Sequence, residues 1–137
     1  MKQITALLLS FVSFSSLAFN LSVNNGSSCT LFEESTIFET KLTSPCNWAV
    51  NAQGDLQTLS VKGNKVAILL GQPISSNQAE KWGGGVSVEQ NCSLESVGVM
   101  IDEVSKVIAV SKPLEGALLC PDLPIDHVFF KSYNWSL

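Results

Sequence analysis

Between Thr58 and Leu70 large apolar side chains recur with a period of two, interrupted once by a Gly63-Asn64 pair. Leu59 and Val61 alternate with Thr58, Ser60 and Lys62; Val66, Ile68 and Leu70 follow behind Lys65. Residues two apart share a face of a strand, whereas a helix needs a spacing of three or four. Glycine reaches positive φ without strain, so Gly-Asn between two such runs predicts a two-residue hairpin loop. This stretch commits the middle of the chain to antiparallel sheet.

The same pattern extends outward. A second hairpin is expected around residues 102–105, joining 97–101 to 106–110. Residues 29–32, 36–42, 48–50, 86–89 and 127–131 are rich in Thr, Val, Ile and Phe and read as further strands, with a turn at Gln53-Gly54-Asp55. Helix signals are few. Asn77 and Glu80 have the spacing of a weak capping box that opens one turn ending at Trp82, before Gly83. Residues 111–119 have room for another short turn, limited by Pro113 and Gly116. The expectation is an all-β chain with at most one or two short helical turns, folded as a small antiparallel sandwich or barrel.

The four cysteines and the first eighteen residues give that sheet its setting. Lys2 is the one charge in residues 1–18, an apolar stretch follows, and Ser16-Leu17-Ala18 places small residues at a cleavage position. The segment is shorter and more serine-diluted than a bilayer span, and no cationic flank follows it. It reads as a cleavable signal, leaving residues 19–137 as one β-rich domain without stable membrane insertion. In an exported chain an even number of cysteines reads as disulfides. Four allow three connectivities. Pairing neighbours, Cys29 with Cys46 and Cys92 with Cys120, is favoured because each pair brackets strand-like sequence. No C-x-x-C occurs and His127 is the only histidine, which argues against a zinc site or thiol redox chemistry.

Composition narrows the partners. The chain has eight lysines and no arginine against twelve acidic residues, a formal charge of −4. Arginine's planar fork is the preferred tool for phosphate and guanine recognition, so its absence, with the acidic balance, argues strongly against nucleic acid and anionic membrane surfaces as partners. The lysine-only composition behind a short leader suits a periplasmic or secreted bacterial protein.

The search for chemistry ends quietly. His127 is the sole candidate base, and on a strand its neighbour Asp126 would point to the opposite face. Residues 85–89 lack the second glycine of a nucleophile elbow. Glu33-Glu34 and Asp102-Glu103 read as solvated turn residues, not as a glycosidase pair. No calcium-loop, P-loop or dinucleotide pattern is present, so neither metal nor cofactor is expected.

One local oddity remains. Lys81-Trp82-Gly83-Gly84-Gly85 sets a large amphipathic ring beside three residues with few steric limits. Tryptophan is a favoured interface anchor, so a projecting key is one reading of the segment; the preferred one is a ring folded back over the sheet edge with the glycines forming a turn or bulge. Residues 71–85 form the longest expected loop, and long loops in compact domains are often functional. The resulting expectation is an exported, non-enzymatic binding protein. It would be an inhibitor or immunity-type protein acting on a hydrolase or toxin, with residues 81–85 contacting another protein. An envelope assembly protein using sheet-edge recognition is the alternative, and a small secreted hydrolase a more distant one.

Overall fold

A computed structural model describes residues 22–104 and 106–135. The expected leader, residues 1–18, lies outside the described residues, as does Ser105 of the expected 102–105 turn.

The chain builds two antiparallel sheets. Strands β1 (Ser22–Asn25), β2 (Ser28–Glu33) and β3 (Thr36–Thr43) form a three-stranded sheet in that order. The larger sheet centres on β6 (Asn64–Leu70) paired with β7 (Ser93–Ile101). Each edge of this pair is one interrupted strand. On one side β4 (Asn47–Trp48) pairs with the end of β6 and β5 (Thr58–Val61) with its start. On the other, β8 (Val107–Val110) and β9 (Leu114–Leu119) pair with opposite ends of β7. Between β8 and β9, Ser111 substitutes side chain for ladder: its Oγ accepts the Gly98 N–H at 2.8 Å while its own N–H donates to the Gly98 carbonyl.

The expected hairpins form, with one shift. The β5–β6 loop is Lys62-Gly63, not Gly63-Asn64, because Asn64 already pairs with Val61. Both loop residues are left-handed, with φ of 50° and 84°, which is what a twisted two-residue hairpin demands. At the β7–β8 turn Asp102 Oδ1 accepts the N–H groups of Val104 and Lys106, each at 2.9 Å. An aspartate bonding to the backbone ahead of it is a local turn former.

Alternation on β6 and β7 marks two buried faces, not one. Ala67, Leu69, Val97, Val99 and Ile101 pack toward the small sheet against Cys29, Leu31, Leu42 and Cys46. Trp48 packs against this cluster. Val66, Ile68 and Leu70 face the other way, under Leu119, Ile125, Phe130 and Tyr133. The carboxy-terminal segment is therefore a third layer. Residues 127–131 are not a strand but helix α2 (His127–Lys131). Asp126 decides this: its carboxylate accepts the Val128 N–H at 2.9 Å, capping the helix, and Phe130 then turns into the core. Tyr133 and Trp135 cover Gly98, where a Cβ would stand 2.9 Å from the Tyr133 ring and 3.1 Å from Trp135. Residues 111–119 hold strand β9 in place of the expected helical turn.

Two carboxylates clip the sheets together. Glu33, at the end of β2, accepts the Val107 N–H at 2.9 Å. In the reverse direction Glu95 on β7 accepts both the N–H and the hydroxyl of Thr43, at 3.0 Å each. Both disulfides join neighbouring cysteines, Cys29 to Cys46 and Cys92 to Cys120, closing separations of 17 and 28 residues. Formed disulfides fit an oxidising compartment. Among the described residues no helix is long and apolar enough to cross a membrane.

Candidate functional site

Residues 75–91 leave the large sheet between β6 and β7 and return to it through a closed neck. The Ile74 N–H donates to the Cys92 carbonyl at 2.8 Å, and Pro73 bridges to Ser93. Ser93 Oγ adds a bond to the Gln72 carbonyl at 2.9 Å. Cys92 is fully buried and disulfide-bonded to Cys120, so the neck is covalently tied to the end of β9. The loop expected over 71–85 is thus mostly ordered structure.

Its first half is helix α1 (Ser76–Trp82). The cap lies two residues before the expected Asn77: Ser75 Oγ accepts the Gln78 N–H, and Gln78 Oε1 accepts the Ser75 N–H at 2.9 Å. Serine followed three residues later by glutamine satisfies two orphan donors reciprocally, which Asn77 and Glu80 do not. Gly83 ends the helix at φ 81°, its N–H donating to the Glu80 carbonyl. The second half is a 3-10 turn, Val88–Gln90, where a strand over 86–89 was expected. Gln90 returns its side chain to the Ser87 N–H at 2.9 Å, a closure incompatible with extended backbone.

Ala79 on α1 and Ile74 in the neck are both buried. The predicted contact residues are brought together and left outside. Lys81, Gly83, Gly84 and Gly85 are exposed, and Trp82 is 50% exposed. Trp82 therefore neither folds fully back over the sheet nor projects free. Its neighbour, a groove of about 440 Å³, runs between α1 and the 3-10 turn and is lined by Ser76, Ala79, Glu80 and residues 83–88. The indole does not line the groove. The signal that sequence reading missed is the neck, which pairs Ile74 with Cys92 across many intervening residues.

The remaining candidates lie apart. His127 opens α2 on the far layer, exposed, and the Asp126 carboxylate is committed to the helix cap. Among the described residues no group of three or more His, Cys, Asp or Glu side chains could hold a metal ion. Comparison with family profiles, curated proteins and solved structures finds no match to this chain.

Proposed function

We propose that this chain is an exported, non-enzymatic protein-binding domain, an inhibitor or immunity-type protein that acts on a periplasmic or secreted hydrolase or toxin through residues 75–91. One observation carries the reading: a half-exposed tryptophan ends a capped helix on an excursion whose neck is pinned by hydrogen bonds and a disulfide. A large side chain held on a rigid mount loses little freedom on binding, which is the condition for an interface anchor. Sheet-edge recognition is less well supported. Both edges of the large sheet are interrupted strands, and the ladder of β2 with β3 shifts register between Ser28 and Thr30, features that blunt an edge.

The test is capture from envelope extract on the oxidised chain and on its Trp82→Ala variant, followed by assay of the captured protein's own activity. The expected result is one discrete partner that is inhibited by the wild type and lost by the variant. Equal capture by both, with competition from an extended peptide, would move the function to a sheet edge. Substrate hydrolysis by the chain itself, abolished in His127→Ala, would overturn the proposal.

A further inference from the structure

Resting on that reading of the excursion, we infer that the groove between α1 and the 3-10 turn receives a basic side chain, lysine or arginine, presented by a cationic protein partner. Three features of the groove point to one kind of occupant. Its walls are short and apolar at Ala79, Val86 and Val88, and a Cβ built at Gly83, Gly84 or Gly85 meets nothing within 4 Å. Bare backbone of this kind lets an alkyl stem approach closely. The only charged residue lining it is Glu80, whose carboxylate has no ion pair among the described residues. The carboxy-terminal end of α1 also opens here, and helix ends of this polarity carry partial negative charge on their last carbonyls.

A groove with apolar walls and one carboxylate, beside a helix carboxy-terminus, matches a long aliphatic stem with a cationic head. An acidic side chain would be repelled, and a purely apolar one would cover Glu80 without pairing it. The charge of the whole molecule, −4, draws a cationic partner toward this surface from a distance. Lys81, exposed in the last turn of α1, does not line the groove. Helical spacing sends Glu80 and Trp82 to opposite sides of the buried Ala79. The partner's basic side chain and its pocket for the indole are therefore two separate contacts flanking one helix.

The test is amide NMR of the oxidised full chain titrated with acetyl-Gly-Arg-Gly-amide, and with acetyl-Gly-Glu-Gly-amide in parallel. The arginine peptide is expected to give saturable shifts confined to residues 83–88, with apparent affinity lowered by about fivefold in Glu80→Gln and reduced by added salt. No saturable shift, equal affinity in Glu80→Gln, or the same response to the glutamate peptide would overturn the inference. Failure of the interface reading is seen elsewhere, as retention of the protein partner by Trp82→Ala.

Discussion

Tyr133 is the only tyrosine in the chain, so its ionisation can be followed directly in the whole protein. The phenol is buried under the sheet and its hydroxyl donates to Ser96 Oγ at 2.8 Å. Burial disfavours the phenolate and dominates, pushing the pKa from 10.0 up to about 12, against a smaller lowering from the Ser96 hydroxyl. Between these two values the unfolded chain loses the proton and the folded chain keeps it. The unfolded state then binds fewer protons, so stability falls as pH rises from about 10 through 12. The two-unit shift corresponds to roughly 3 kcal/mol, lost in full only above the folded value. The assay is phenolate absorbance after a rapid jump to alkaline pH, with urea-unfolded protein as reference and Tyr133→Phe as the blank. The folded midpoint should lie well above that of the unfolded chain. Because the Ser96 hydroxyl lowers the value, Ser96→Ala should move the midpoint further up. A folded midpoint close to 10 would refute the burial argument and with it the third layer over Gly98.

Three further outcomes test the rest of the scaffold. Gly98→Ala puts a methyl group 2.9 Å from the Tyr133 ring and should cost about 1–3 kcal/mol by overpacking. Calorimetry would show this as a lower Tm, and the cost should shrink in a Tyr133→Leu background, whereas strict additivity would rule out the contact as its cause. Glu95→Ala deletes both bonds to Thr43 and should cost about 1–2 kcal/mol in urea unfolding, with Glu95→Gln costing less because its amide oxygen still accepts one of them. Reducing the disulfides should lower the guanidinium midpoint strongly, since chain entropy assigns roughly 3–3.5 kcal/mol to each closure; equal midpoints for oxidised and reduced chains would show that they are not staples.

What could be read from sequence was local. The β5–β6 and β7–β8 hairpins follow from alternation plus turn residues within a few positions, and even there the first loop moved by one residue to give Lys62 and Gly63 the positive φ values. The failures share a cause. His127, Val128, Phe129 and Phe130 have side chains that suit strands, but β preference measures fit to a pleated surface, and a cap at Asp126 with Phe130 turned inward gave a better fit as helix. Asn77 and Glu80 have the spacing of a capping box, but Ser75 and Gln78 have it too, and the structure uses the earlier pair. The unbroken apolar run from Val66 to Leu70 was itself a sign of burial on both faces, which alternation at Val66, Ile68 and Leu70 concealed.

That double burial also bears on where a partner can bind. With one face of β6–β7 under the small sheet and the other under residues 119–135, the central strands offer no surface. Two outward surfaces then compete. The outer face of the small sheet sets one cross-strand pair, Phe32 with the exposed Ile37, among Asn24, Thr30 and Glu39, and a single apolar pair on a polar sheet is ordinary for a monomer. Residues 75–91 differ in kind. They combine a half-exposed indole, a groove with bare glycine walls and a carboxylate with no ion pair among the described residues, and a disulfide ties the neck to Cys120 at the end of β9. A neck closed by hydrogen bonding between Ile74 and Cys92, with Cys92 tied by its disulfide to Cys120, holds those three features on one mount. A shared mount matters only to something that touches them together, and this is the physical reason to look for a partner there before the sheet face.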